Sequence, residues 1–585
     1  MGIMNASTSP GSFQFPSATA NLRRSSQEAM DSAVITLAEH KKAWVDLPIR
    51  KKVTILDQLI RALRARAERW VAVSAQAKGI APGSAAACEE WVGGPYFIMN
   101  VLRQLRQSLL DIERIGHPRI PGPVTTRPDG QVVAQVFPQR GYDRIFYAGV
   151  TAEVWMQPGV SAESLPTTQA LSYRGDKGSG KVALVLGAGN VSSIGPLDVL
   201  HKLFVENQVV LYKANPVNAY LGPLFEESFL ALIDQGFLRI VYGGSEEGAY
   251  LCNHSGIDEI HVTGSDKTFD AIVFGTGPEG AARKAKKQPL LNKKVTGELG
   301  NVSPLIVVPG PWSESDLVYH GEHIASTLMN NAGFNCNATR VVIQYADWSQ
   351  RKALLEHIRQ VLARVPSRTA YYPGAMHRHE TFLTSHPDAE RFGAPEEGRL
   401  PWVLIPSLDS ARAGDVCFTT EAFCGVIGET ALTANSVAEY IDRAVAFAND
   451  TLWGTLNATI LIHPSSLQDP TVAAALDRAV ANLRFGSVAI NLWAATAFGL
   501  GVTTWGGFPG SPPDDIQSGI GFVHNTLMFD RPQKSVVRAP FRARPTPPWF
   551  ATRGQAGAKL FSKLVKFEAA PSPWKLPGIL CTAMR

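Results

Sequence analysis

Four short apolar runs, each closing on small or polar residues, constrain this chain more than any other feature. They are "KVALVLGAG" from Lys181, "VVLYKANP" from Val209, "LRIVYGG" from Leu238 and "EIHVTGS" from Glu259. Helical text such as "PLFEESFLALIDQ", apolar at spacings of three and four, lies between them. Runs of this length bounded by glycine or proline read as strands buried on both faces, and their alternation with helices makes the sheet parallel. The predicted fold class is α/β. Ligands of such sheets gather at the carboxyl ends of the strands, here residues 187–190, 213–216, 243–244 and 263–265. An ordinary dinucleotide fingerprint is not met, because Gly195 falls three residues late after Gly187 and Gly189, and the second strand ends on Lys213 instead of an acid.

A second strand–helix series opens after Lys294 with "SPLIVVPG" and runs to about residue 487. Ahead of both series, residues 24–115 read as amphipathic helices, and residues 132–157 turn strand-like around Arg140-Gly141. The first 21 residues carry no basic stretch leading into an apolar one and read as a flexible leader, not a secretory signal; Ala6 stands where a myristoylation motif needs Ser or Thr. Residues 485–513 are uncharged over the length of a membrane span, yet six glycines and three prolines make them strands and turns of a buried core.

Charge is uneven. The chain carries a net +5, while residues 531–585 hold eleven Lys or Arg against Glu568 alone. There "KLFSKLVKF" sets Leu560, Phe561, Leu564 and Val565 on one helical face among lysines, a pattern that suits a membrane surface or a neighbouring subunit. The positive charge is confined to a proline-rich end, so no nucleic-acid partner is expected. Six cysteines, at 88, 252, 336, 417, 424 and 581, show no disulfide framework, which points to a reducing, cytoplasmic setting. His377, His379 and Glu380 lack further ligands at useful spacing, so no metal is expected.

The motifs resemble those of the aldehyde dehydrogenase superfamily, in order, over roughly residues 150–500. "VTGELGNVSP" resembles the segment carrying that family's general base, "NAGFNCNATR" the segment of its nucleophile, and "GAGN" the strand end presenting its oxyanion asparagine. "LYKANP", "VTGSDKTF" and "TEAFCGVI" resemble cofactor-binding segments, and "FANDTLWGTLNATI" and "GSVAIN" match two more. The resemblance implies Cys336, Glu298 and Asn190 as catalytic residues, with Lys213, Gly264, Ser265, Glu421 and Phe423 around NAD or NADP. Pro216 replaces the acid often found three residues after the lysine in NAD-preferring members, which admits a 2′-phosphate. Asn301 replaces a glycine, and Cys424-Gly425 replaces Gly-Pro. "GAGNVSSIGP" also resembles the acyl-CoA and fatty acid reductase branch.

The resemblance implies a Rossmann-type cofactor domain, a catalytic domain and a strand arm for oligomerisation. The expected division is 1–131 leader and helices, 132–157 arm strands, 158–297 dinucleotide-binding domain, 298–487 catalytic domain, 488–530 arm segment and 531–585 basic tail. The expected chemistry is oxidation of an apolar aldehyde through a thiohemiacetal and a thioester, with acyl-CoA reduction or a non-catalytic scaffold as alternatives. Phe334, Trp493, Phe498, Trp505 and Phe508 are candidates for a substrate tunnel. A homodimer or tetramer is expected through the arm, with peripheral membrane contact through the tail.

Overall fold

A computed structural model describes residues 22–176, 178–394 and 396–583; the expected leader lies outside them. Five parallel strands form the first sheet in the spatial order Lys294–Leu299, Glu259–Gly264, Val182–Leu186, Val209–Ala214, Leu238–Tyr242, with Gly519–Ile520 antiparallel on the outer edge. The chain winds outward from Val182–Leu186 in one direction, then returns and winds the other way. This reversal leaves a crevice beyond Leu186 and Gly264, where no connection crosses. Lys294–Leu299 belongs to this sheet, so Glu298 stands on the cofactor-side sheet and the boundary expected between 297 and 298 cuts through a strand.

The second sheet has eleven strands. Its parallel middle comprises Ser487–Ile490, Asn457–Leu461, Ser303–Val307, Thr339–Tyr345, Val426–Leu432 and Trp402–Leu408, with Glu390–Phe392 antiparallel at one edge. At the other end Pro532–Arg538 pairs with Ser487–Ile490, and Thr151–Met156, Val132–Phe137 and Val124–Thr126 follow antiparallel. One strand falls outside the expected bounds of the arm. The arm's third strand is Pro532–Arg538, within the segment read as tail, while 488–530 supplies turns and two-residue strands over the site. The arm also closes on the chain's own sheet.

Lys534 shows how that closure is held. Its buried ammonium donates to the carbonyls of Val480, Ala481 and Leu483 at 3.0, 2.9 and 2.6 Å, where helix Pro470–Asn482 ends. A cation suits that negative end of the helix dipole.

The N-terminal helices cover the first sheet and brace the site. Gln27–Asp46 starts at Ser26, whose hydroxyl accepts from Ala29 N, and buries Leu37 and Trp44 against the strands. Ile49–Ala77 packs on Phe97–Ile115 and on the C-terminal helix Gly554–Ala569. Leu560, Phe561, Leu564, Val565 and Phe567 of Gly554–Ala569 are buried in the same core. Each is worth about 1.5–3 kcal/mol, so the apolar face expected to meet a membrane or another subunit is spent inside this chain. Glu568 pairs with Arg103 at 2.7 Å, and Lys566 with Glu68 at 3.0 Å. Among the described residues no helix is long and apolar enough to cross a membrane.

Candidate active site

Cys336 lies between helix Glu314–Met329 and strand Thr339–Tyr345, in a loop shaped by three successive left-handed residues, Asn331, Ala332 and Gly333 (φ 53°, 58° and 79°). A Cβ on Gly333 would stand 2.6 Å from the Cys424 backbone, so glycine alone fits there. Arg340 fixes the loop from beneath. Its guanidinium donates to Gly333 O at 2.6 Å and Cys424 O at 2.5 Å, tying the Cys336 loop to the segment of Glu421. The Cys424-Gly425 departure thus presents a carbonyl to a buried arginine.

The thiol of Cys336 donates to Glu298 Oε1 at 3.4 Å, and the indole N–H of Trp505 donates to the same oxygen at 2.8 Å. Glu298 Oε2 is buried without a partner. Burial pushes the Glu298 carboxyl up to about 7, with Asp198 and Glu421 adding to the rise, while the bonds from Trp505 and Cys336 oppose it. The Cys336 thiol is held well above its usual range by burial and by the two carboxylates. The resting pair is therefore a neutral thiol beside a base poised near neutrality.

Asn190 follows strand Val182–Leu186 and donates one amide hydrogen to Phe334 O at 2.9 Å. A primary amide carries two donors, so a second remains.

Two cavities meet at Cys336 and Asn190. The first, about 1280 Å³, is lined by all eight residues singled out from the sequence: Asn190, Lys213, Gly264, Ser265, Glu298, Cys336, Glu421 and Phe423. Lys213 is buried, which lowers its ammonium to about 8. Ser265 caps helix Asp266–Val273 by accepting from Thr268 N. Glu421 is half-buried beside Gly300, where a Cβ would stand 2.0 Å from its carboxylate. Burial pushes Glu421 up to about 7 against the pull of Arg340 and Arg378, and its Oε1 has no partner. Asn301 is also accommodated: it donates to Asn457 O at 3.1 Å and faces Gly454, a left-handed glycine.

The second cavity, about 270 Å³, is largely apolar and reaches Cys336 from the opposite side. Its walls include Tyr96, Phe97, Trp493 and Phe498, and it is closed by Leu560, Phe561 and Leu564 with Ile579, Leu580 and Ala583 of the last two helices. Of the tunnel candidates, Trp493 and Phe498 line it, and Trp505 instead orients Glu298. Phe334 packs among Tyr371, Tyr372 and Phe423, and Phe508 lies against Lys534.

Sequence reasoning missed Arg378 and Tyr372 and weighed His377 only as a metal ligand; all three line the first cavity from a loop and helix outside the motifs of the resemblance. It missed the C-terminal wall as well, whose amphipathic signal was visible but whose partner was not. One group capable of holding a metal occurs among the described residues, His386, Asp415 and Cys417. Asp415 there accepts from His386 Nε2 at 3.0 Å and caps Cys417 N at 2.9 Å, which accounts for the closeness without an ion.

Comparison with known proteins bears on the fold and on part of the sequence. The sequence profile of the Aldehyde dehydrogenase family matches residues 197–384. The chain is 26% identical over 185 residues to N-succinylglutamate 5-semialdehyde dehydrogenase of Novosphingobium aromaticivorans, covering 32% of this chain and 36% of that one. It is 32% identical over 155 residues to an aldehyde dehydrogenase of Enchytraeus buchholzi, covering 26% and 27%. The matched stretch thus spans about a third or less of these relatives. Solved structures align far more widely. A putative aldehyde dehydrogenase from Burkholderia cenocepacia matches with TM-score 0.59 at 19% identity, covering 91% of this chain and 95% of that one. Aldehyde dehydrogenase C of Pseudomonas syringae, solved as a mutant with NAD+ and octanal, matches with TM-score 0.59 at 15% identity over 93% and 94%. The NADP-dependent glyceraldehyde-3-phosphate dehydrogenase of Bacillus halodurans, complexed with NADP, matches with TM-score 0.56 at 18% identity over 88% and 91%. The chain has the aldehyde dehydrogenase fold, and the stretch 197–384 is similar in sequence to that family.

Proposed function

We propose that this protein oxidises an apolar aldehyde to the carboxylate with NAD or NADP, through a covalent intermediate on Cys336. The observation that carries the reading is the meeting of two cavities at Cys336, a large one at the strand ends that holds Lys213, Glu298 and Glu421, and a small, largely apolar one. The residues present fit a nicotinamide cofactor, because the unpartnered Glu421 oxygen and the Lys213 ammonium are buried donors and acceptors in a cavity of suitable place and size. Pro216 lines it without a carboxylate, which leaves both cofactors admissible. When bound, the cofactor accepts the hydride.

The chain's own residues do the rest. Glu298 Oε1 takes the Cys336 proton as sulfur adds to the aldehyde carbon, giving a thiohemiacetal. The free amide hydrogen of Asn190 and the Cys336 backbone N–H hold the oxyanion, each worth roughly 3–4 kcal/mol of barrier. Loss of hydride leaves a thioester; Glu298, once it has released the thiol proton to solvent, accepts a proton from the water that hydrolyses it, and the Cys336 thiolate leaves and is reprotonated. A base within reach of the sulfur favours hydrolysis over acyl-CoA reduction, in which that base would waste the thioester.

Intact mass after incubation with decanal and either cofactor tests the reading. A decanoyl adduct is expected on Glu298→Gln and none on Cys336→Ser; absence of adduct from both aldehyde and decanoyl-CoA on the Glu298→Gln protein would sink it. The cofactor that supports the adduct identifies the preference. The apolar wall makes a further prediction. Deleting residues 571–585 removes Ile579, Leu580 and Ala583, and is expected to raise KM for decanal about tenfold, the worth of one or two buried methylenes, leaving acetaldehyde unchanged. An equal change for both would place the wall outside the substrate path. For assembly, a homodimer built by lending the arm would require its exchange from the chain's own Ser487–Ile490, which light scattering on the eluting protein would read as a dimer mass. A membrane contact would have to use surface other than the buried face of Gly554–Ala569.

A further inference from the structure

The N-terminal helices match no motif of the family, yet one of their residues reaches the catalytic asparagine. Lys78 caps helix Ile49–Ala77 and is almost wholly buried, as is Glu90, with side-chain exposures of 4% and 3%. Its ammonium donates to Glu90 Oε1 at 2.7 Å, Asn190 O at 3.0 Å and Asn331 Oδ1 at 3.1 Å. Three protons meet three acceptors, so the group is fully satisfied. The Tyr371 hydroxyl stands 3.0 Å from Asn190 O and 2.8 Å from Asn331 Oδ1. Asn331 Nδ2 donates to Asn190 O at 3.0 Å and Phe334 O at 3.2 Å, and its backbone N–H donates to Glu89 at 3.0 Å.

We propose that Lys78 is a positioning residue for the oxyanion site, holding the backbone of Asn190 at a fixed distance from the Cys336 loop. Donors from Lys78, Tyr371 and Asn331 converge on one carbonyl and fix that peptide plane, which sets the direction of the Asn190 side chain. The Asn331 hub sits in the left-handed turn five residues before Cys336, so one network spans both oxyanion donors. A buried ion pair is no more stabilising than apolar residues of the same volume, and removing one partner is costly. Stability therefore does not account for a lysine here, whereas geometry does. The inference rests on the reading in which Asn190 binds the oxyanion.

The test is a set of initial-rate measurements with decanal on wild type, Lys78→Met with Glu90→Leu, Asn190→Ala, and the three changes together. Changing both charges at once leaves no orphaned carboxylate. The paired variant is expected to melt near wild type, lose about a hundredfold in kcat with KM for the cofactor unchanged, and cost nothing further in the Asn190→Ala background. An undiminished kcat, or the same loss with and without Asn190, overturns the proposal. Tyr371→Phe, which removes a single hydroxyl, is expected to show the same dependence on Asn190 with about a tenfold loss, and decides the matter if the paired variant fails to fold. Should Asn190→Ala keep full activity, the oxyanion reading itself falls; should Asn190→Ala be impaired while the Lys78 and Tyr371 variants are not, only the positioning role falls.

Discussion

Cys336→Ala is expected to lower aldehyde oxidation by at least about 10⁴-fold, the scale on which loss of a catalytic nucleophile acts, with the fold and cofactor binding intact. The other cysteines offer no substitute at the meeting of the two cavities. Burial raises the thiols of Cys88, Cys252, Cys417 and Cys424; Cys417 has a carboxylate neighbour in Asp415, but none of the four lines both cavities as Cys336 does. Cys581 is exposed on the last helix, and Cys581→Ala is expected to leave the rate unchanged. The Cys336 thiol is itself raised, so at neutral pH its thiolate forms mainly as Glu298 removes the proton, and in Glu298→Gln the adduct builds slowly through the small thiolate fraction. Alkylation by iodoacetamide in the absence of substrate should accordingly be slow, and faster at higher pH. A Cys336→Ala protein that keeps more than a hundredth of wild-type kcat would remove the covalent route.

How much of this was legible in the sequence follows from the range of the interactions. The parallel strands of the first sheet announce themselves because each is buried on both faces and must be apolar throughout; Val182–Leu186 and Val209–Ala214 are read directly. Cys336 and Glu298 were singled out only because their segments resemble aldehyde dehydrogenase motifs; the left-handed turn at 331–333 explains why small residues stand near Cys336. The arm's third strand was missed because "PQKSVVR" carries Lys534 in its middle, and only the end of a distant helix makes that buried charge acceptable. The helix at Gly554–Ala569 was seen as amphipathic, but periodicity states that a face is covered and never by what. Lys78 left no signal at all: a lysine at a helix end is ordinarily solvated, and only the arrival of Glu90, Asn190 and Asn331 from separate elements makes it buried.

Glu298→Gln is expected to slow thioester hydrolysis by about 10²–10⁴-fold, the usual contribution of a positioned base, and to remove the acidic limb of the rate profile. The sign follows from the site. Burial raises the carboxyl to about 7, so in the wild type the base is lost as pH falls through 7, and the rate should drop about tenfold per unit below it. The same shift has a consequence for stability. Glu298 ionises near its model value of 4.5 in the unfolded chain and near 7 in the fold. Between those values the folded state binds more protons, so stability declines as pH rises through that window and levels off above it. Glutamine has no such dependence. The stability gap between Glu298→Gln and wild type, from urea denaturation, should therefore widen in favour of the variant between pH 5 and pH 8, by on the order of 3 kcal/mol. Glu421, also raised to about 7, remains in both proteins and largely cancels from the difference. An unchanged gap would mean that Glu298 is hydrated in solution, with an ordinary acidity, and the neutral thiol–carboxylate pair would no longer describe the resting site.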